Sequence, residues 1–324
     1  MGSEQEMDGV TGMRIQVGNR FRRRLALGLA VLCLLAGGVA AFAEDDVLYV
    51  ENQWNFVDGA LDVSGGIPED AQGVLRKIRD RGVLRVATEP YFAPQEFIDP
   101  DLEGQASFVG ADMDLARLIA QRMGVELEIV PMEFTEVLGA VSEGVCDLAI
   151  SALSFTPSRA AANAMSKGYY FAESGAGAGV LIRAEDQDTI RTVEDLADKV
   201  LVAQSGSVQE ALAAENIPYY LEFRRLSSIT DLYEAVAGGK ADAACVDAET
   251  AAWYIRENPE KGLALAEGIR FTLEEAFQGD RIAGKKEELQ LMYFVNGVIN
   301  EVLEKDLYTS WLEDAKKRAA ELGL

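Results

Sequence analysis

The sequence predicts a two-lobed α/β protein. Three observations point there: strand and helix patterns alternate in two successive runs, a long helical tract closes the chain, and the composition is that of a globular protein. Of 324 residues, 49% are hydrophobic and 26% charged, enough apolar side chains for a sizeable core and unlike a disordered tail. The length fits roughly two domains.

The first run begins with β-like Leu84-Arg85-Val86-Ala87-Thr88. Leu115, Leu118, Ile119 and Met123 then recur at helical spacing, and Gly124 stops that helix. Glu126 to Val130 alternates polar and apolar residues as a strand does. Val137, Leu138, Val141 and Val145 mark a helix, and Cys146 to Ile150 a short strand. This order indicates an α/β lobe with a mainly parallel sheet. In the second run, Val200 to Ala203 reads as a strand, Val208 to Glu215 as a helix with Ser207 as N-cap, and Tyr220 to Phe223 as a strand. Ser228 to Ala237 reads as a helix, Ala243 to Val246 as a strand and Ala248 to Asn258 as a helix. From Glu287 to Leu322 the chain is almost all helix-forming, with an apolar stripe from Leu289 to Trp311 and no proline. Two lobes and a helical return leave a cleft between lobes, where ligands are preferentially bound.

Ahead of these runs, Arg14, Arg20, Arg22, Arg23 and Arg24 precede an apolar stretch from Leu25 to Ala36, then Gly37-Gly38 and Ala41-Phe42-Ala43. A basic region, an apolar region and a small-residue exit make residues 1–43 a secretory signal peptide. Leu25 to Ala43 also approaches the ~20 residues that span a bilayer, so an uncleaved anchor stays open. So does initiation at Met13 in place of Met1. Residues 44–80 form an extension: Trp54, Phe56 and the turn-like Ser64-Gly65-Gly66 suggest structure, and Val74, Leu75 and Ile78 a short helix, with no assignable chemistry. Leu32 before Cys33 is too large for a lipidation signal. Cys146 and Cys245, in apolar strand-like contexts, read as buried free thiols and not as a disulfide scaffold.

Charge and composition exclude several functions. With 30 Lys+Arg against 54 Asp+Glu the net charge is −24, which argues against nucleic acid or an anionic membrane as the main partner. The absence of histidine excludes Ser-His-Asp, Cys-His and His-ligated metal mechanisms. Gly175-Ala176-Gly177-Ala178-Gly179 lacks the third glycine of a dinucleotide loop and runs into the strand Val180-Leu181-Ile182, so it reads as a flexible crossover between lobes. Asp112 and Asp114, just before a helix, fit capping better than a metal site. No cofactor and no metal are expected. Thr156-Pro157-Ser158-Arg159 places a cation at a helix start, unfavourable there unless an anion joins it, so Arg159 is a candidate for a bound carboxylate; an ordinary surface arginine is the alternative. Asp247 ends an apolar strand, where open α/β sheets bind ligands; capping of the following helix is the alternative.

Several segments together resemble the family 3 solute-binding proteins, the amino-acid receptors of ABC importers. They are Gly82 to Thr88, Phe108 to Ala116, Asp147 to Ser151 running on to Arg159, Gln204-Ser205-Gly206-Ser207 and Ala241 to Asp247. The likeness covers about Val83 to Ala315. It implies a bilobed, type II periplasmic-binding-protein-like fold, with residues 81–173 and 272–324 as lobe one and 174–271 as lobe two. It implies an amino-acid ligand, an ABC permease complex in the membrane as partner, a secreted, periplasmic or cell-surface location, and a monomer.

By position, the resemblance gives Arg159 to the ligand α-carboxylate and Asp247 to its α-ammonium. Ser154 and the backbone near Ala152 become polar contacts, Ser207 a hydroxyl near the carboxylate, and Phe92 and Phe134 aromatic walls. Gln204 stands where some relatives carry a base. Glu89 matches an acid that meets the ligand side chain, which leans the ligand towards a cationic or amide group. Val208 departs from the hydroxyl or glycine of many relatives, and Phe277 to Lys286 follows the return segment loosely. Two other readings remain: an anchored sensory binding module, and a dehydratase-like enzyme on the same scaffold with Glu89 or Glu173 as general acid.

Overall fold

The computed structural model describes residues 57, 59–172 and 177–324. The signal segment, Trp54, Phe56, Glu173 and the start of the Gly175 to Gly179 stretch lie outside the described residues. In chain order the regular elements are α1 (Gly73–Arg81), β1 (Val83–Thr88), β2 (Tyr91–Phe92), β3 (Glu96–Ile98), β4 (Phe108–Val109), α2 (Ala111–Met123), β5 (Glu126–Pro131), α3 (Phe134–Ser142), β6 (Leu148–Ser154), α4 (Pro157–Ala162) and β7 (Asn163–Met165). There follow β8 (Gly177–Arg183), β9 (Val200–Gln204), α5 (Val208–Asn216), β10 (Glu222–Leu226), α6 (Ile229–Ala237), β11 (Ala243–Asp247), α7 (Ala248–Glu257), β12 (Leu263–Thr272), β13 (Asp280–Lys285), α8 (Leu289–Glu304) and α9 (Leu307–Leu322).

Two five-stranded sheets make the two lobes. Lobe one has the order β5-β1-β6-β13-β7 and lobe two the order β10-β9-β11-β8-β12. Each is parallel at one side and antiparallel at the other: β1 runs parallel to β5 and β6, whereas β13 runs antiparallel to β6 and β7. In lobe two β9 runs parallel to β10 and β11, and β8 antiparallel to β11 and β12. The sheets are therefore mixed, where a mainly parallel sheet was expected. β8 and β13, each the first strand after the chain changes lobe, supply the antiparallel neighbours.

The lobe-one core joins Leu84, Val86, Leu148 and Ile150 of the sheet to Leu115 and Ile119 of α2 and to Phe294, Val295 and Val298 of α8. The lobe-two core lies on both faces of its sheet, with Leu181, Val202, Ala244 and Val246 towards α6 and α7, and Val180, Leu201 and Cys245 towards α5. At α2 the chain needs a glycine. Gly110 has φ 118, and a Cβ there would meet the Gln95 carbonyl oxygen at 2.2 Å.

Some elements differ from expectation. The C-terminal tract is two helices, broken where Asp306 takes a left-handed φ of 51. Along α9, Tyr308 and Leu312 pack in the lobe-one core, and Ala315 and Ala319 join the cluster that links Phe97 of β3 to the lobe-two sheet. The strand expected at Tyr220 starts at Glu222, because Tyr219, Tyr220 and Leu221 face solvent. Gly177 to Gly179 belong to β8, so these glycines are strand and not crossover. Asp112 and Asp114 lie within the first turn of α2, not ahead of it. Cys146 and Cys245 are free and buried, and burial pushes their thiols up to about 11 and about 12.

The extension is tied to lobe one. Val57 N–H donates to the Met165 carbonyl at 2.8 Å and Leu61 N–H to that of Tyr293 at 2.9 Å. The buried Asn296 amide donates to the Val57 and Gly59 carbonyls at 2.7 and 2.9 Å. These bonds replace water for backbone groups that would otherwise be stranded against α8.

Candidate functional site

Between the lobes lies a pocket of about 390 Å³ of empty space, its mouth included. Of the nine residues singled out in the sequence, eight line it: Glu89, Phe92, Phe134, Ala152, Ser154, Arg159, Gln204 and Ser207. Asp247 does not.

Arg159 is placed by a local motif. Thr156 caps α4, its hydroxyl accepting the Arg159 N–H at 3.2 Å, and Pro157 opens the helix. The guanidinium is buried. It donates to the Ser154 carbonyl at 2.8 Å and, across the cleft, to the Gly206 carbonyl of lobe two at 3.2 Å. It also lies over the Phe134 ring, 5.6 Å from its centre. Among the described residues no carboxylate lies within ion-pair distance of it. Burial lowers its pKa to about 10, and the more distant charge of Asp280 offsets that only in part. The surface-arginine alternative is thereby excluded.

The opposite end of the pocket is acidic. Glu89 follows β1 and is 2% exposed. Its N–H donates to Ser151 Oγ at 3.1 Å, and that hydroxyl donates to Glu96 Oε1 at 2.8 Å. Among the described residues Glu89 Oε1 and Glu96 Oε2 have no hydrogen-bond partner. Burial raises the Glu89 carboxyl to about 8. Burial, then the charge of Asp112, holds Glu96 well above the usual carboxylate range. Buried carboxyl oxygens without a donor are costly, and a bound cation relieves them.

Lobe two contributes Gln204, which donates to the Ser227 carbonyl at 3.0 Å, and Ser207, whose hydroxyl caps α5 by accepting the Glu210 N–H at 3.0 Å. A hydroxyl that accepts still has its proton to donate. Asp247 ends β11 and caps α7: its Oδ1 accepts the Thr250 N–H at 2.8 Å. The capping alternative thus holds. Burial raises its carboxyl, and its charge is felt by Asp280 of β13, which pairs in register with Ser154. Asp247 therefore stands beside the lobe junction without facing this pocket. Two further bonds cross that junction: Tyr170 hydroxyl to Glu249 at 2.7 Å and Gln95 amide to Thr250 at 3.5 Å.

Sequence reasoning missed Glu96, Ser151, Gln209 and Ile229 as lining residues. Glu96 sits in a three-residue strand, too short for a periodic signal. Val208, noted as a departure, also lines the pocket.

The sequence profile of the bacterial extracellular solute-binding proteins, family 3, matches residues 84–313. The chain belongs to that family. It is 28% identical over 178 residues to the arginine-binding extracellular protein ArtP of Bacillus subtilis, a match covering 55% of this chain and 66% of that protein. A probable histidine-binding protein of Campylobacter jejuni is 29% identical over 180 residues, covering 55% of this chain and 64% of that protein. The matches therefore span just under two thirds of these relatives. Among solved structures, the substrate-binding protein AbpA of an amino acid ABC transporter from Streptococcus pneumoniae, bound to L-arginine, is 32% identical. It superposes with a TM-score of 0.67 over 76% of this chain and 99% of its own. The ancestral amino-acid-binding protein AncCDT-1, a precursor of cyclohexadienyl dehydratase, is 26% identical with a TM-score of 0.65 over 75% and 99%. The two-lobed architecture is that of these solute-binding proteins.

Proposed function

We propose that this solute-binding protein captures a polar amino acid, with a lean towards a cationic side chain, and delivers it to an ABC permease. The observation that carries the reading is Arg159: a buried guanidinium with no carboxylate at ion-pair distance among the described residues, facing a cleft whose far end holds the buried acids Glu89 and Glu96, each with one oxygen lacking a hydrogen-bond partner. A planar guanidinium grips a carboxylate bidentately and fixes its direction. An amino acid laid from Arg159 towards Glu89 brings the anion one end lacks and, if its side chain is cationic, the cation the other end lacks. Gln204 and Ser207 supply hydrogen bonds on the lobe-two side, and Phe92 and Phe134 the walls. Asp247 is the α-ammonium partner once ligand draws the lobes together, its second oxygen serving while the first keeps the helix cap. Ligand affinity for the closed form then sets the population shift.

The same reading takes residues 81–173 and 272–324 as lobe one, 174–271 as lobe two, an extracytoplasmic location reached through residues 1–43, and action as a monomer without cofactor. Among the described residues no helix is long and apolar enough to cross a membrane.

A thermal-shift panel of amino acids on protein unfolded and refolded to remove co-purified solute tests it. A ligand at 100 times Kd adds about 2.7 kcal/mol of stability. No shift with any amino acid contradicts the reading. A dehydratase is the second reading, favoured by the Glu89 carboxyl raised to about 8 and the likeness to AncCDT-1. Turnover of a cyclic carboxylic acid, lost in Glu89→Gln, would decide for it.

A further inference from the structure

The pocket floor contains a backbone conformation that needs explaining. β6 pairs with β1 only through Leu148 and Ala149, and its pairing with β13 shifts register between Arg281 and Ala283. Ser151 and Ala152 lie where β6 has left both ladders. There Ala152 adopts φ 43. A left-handed backbone costs an L-residue about 1–2 kcal/mol, so surrounding contacts must impose it.

The side chain bonded to that turn is Asp112. Its Oδ2 accepts the Ala152 N–H at 2.8 Å. The same oxygen accepts the Tyr169 hydroxyl at 2.9 Å, and Oδ1 accepts the Tyr308 hydroxyl at 2.7 Å. The carboxylate sits in the first turn of α2, is fully buried, and is fixed from three directions: the pocket floor, the segment after β7, and α9. Two residues beyond Ala152, the Ser154 carbonyl holds Arg159 at 2.8 Å. The direction of that carbonyl follows from the turn made at Ala152.

We propose that Asp112 is a positioning residue for ligand capture: by accepting the Ala152 N–H it holds the left-handed turn that aims the Ser154 carbonyl, and through it the Arg159 guanidinium, into the cleft. This rests on the cleft being the amino-acid site. Asp112 touches no ligand in this scheme. The scheme requires the oxygen facing Ala152: asparagine keeps that oxygen and can turn its N–H₂ to the Tyr308 hydroxyl, which can accept, whereas alanine removes the acceptor outright.

The experiment is calorimetric titration with L-arginine, L-histidine and L-glutamine of wild type, Asp112→Ala, Tyr308→Phe and Asp112→Ala/Ala152→Gly. Loss of a hydrogen bond to a charged group predicts about tenfold or more weaker binding for Asp112→Ala. Tyr308→Phe removes a donor from the same carboxylate but leaves the Ala152 bond, so its binding changes less. Glycine adopts φ 43 freely, so Ala152→Gly restores most of the affinity lost in Asp112→Ala. A merely structural Asp112 predicts otherwise: Tyr308→Phe and Asp112→Ala then weaken binding alike, and glycine does not rescue Asp112→Ala. Either of those results overturns the proposal. If Asp112→Ala does not fold, Ala152→Val replaces it. A β-branched residue resists the left-handed turn, so weaker binding is expected in folded protein, and unchanged binding overturns the proposal. Wild type that binds none of the three overturns both the cleft reading and this one. Wild type that binds, with Asp112→Ala binding equally well, overturns this one alone.

Discussion

The two lobes share one plan and differ in the charge they carry at equivalent places. In each sheet the middle strand, β6 or β11, has a parallel neighbour on one side and an antiparallel one on the other, and runs directly into a helix. In lobe one that helix is capped by the neutral Thr156, and the charge beyond the cap is Arg159. In lobe two the cap itself is charged: Asp247 accepts the Thr250 N–H. The fold thus fixes where a charge stands. A carboxylate cap serves the helix and leaves an oxygen for something else, whereas the cation beyond the threonine cap bonds two carbonyls and meets Asp280 only at a distance.

The largest effect expected from breaking this contrast is at Arg159. Arg159→Ala removes one partner of a buried charge pair in the complex, which costs about 2–5 kcal/mol, so affinity for the best amino acid in a calorimetric titration should fall at least about thirtyfold. Binding within threefold of wild type would mean that the lobe-one charge is not used.

Next comes Asp247, where cap and ligand roles separate cleanly. Asparagine caps as well as aspartate, so Asp247→Asn should keep the apo melting temperature yet bind about tenfold more weakly; Asp247→Ala should also lose about 1 kcal/mol of stability in urea titrations. Full affinity in Asp247→Asn would reduce this acid to a cap and leave lobe two neutral in the comparison.

A smaller effect follows from pH. Only ionised Glu89 pairs with a cation. In the empty site burial holds its carboxyl at about 8, so below that pH a cationic side chain must expel a proton. L-arginine affinity should therefore fall as pH drops from about 8 to about 6, by at most about tenfold per unit, and the slope should vanish in Glu89→Gln. A flat profile in wild type removes Glu89 from the site. The smallest effect is at Ser207: Ser207→Ala should cost about 1 kcal/mol of stability through the lost cap, seen in thermal denaturation, with only a few-fold change in affinity.

Much of this was legible in the sequence for local reasons. Thr156-Pro157 announces a helix start, so the unusual position of Arg159 could be read without coordinates. Ser207 announces its helix in the same way and caps as expected; Ser228, read as the first helical residue, and Asp247, read first as a ligand contact, also cap. What was illegible depends on contacts distant in sequence. Glu96 and Asp112 meet Ser151 and Ala152 only after β1, β6 and α2 pack, and Tyr308 reaches Asp112 across 196 positions. The break at Asp306 has no proline or glycine to mark it. Asp247 shows the remaining difficulty. One short motif encodes both a helix cap and a candidate ligand contact, and its letters are the same for either.

The most direct test of the central claim is a crystal structure of the complex with the amino acid that gives the largest thermal shift. The account predicts the α-carboxylate on the Arg159 guanidinium and the α-ammonium on Asp247, with Asp247 still capping α7. An α-carboxylate held away from Arg159, or an ammonium bound with Asp247 remote from it, would contradict the account.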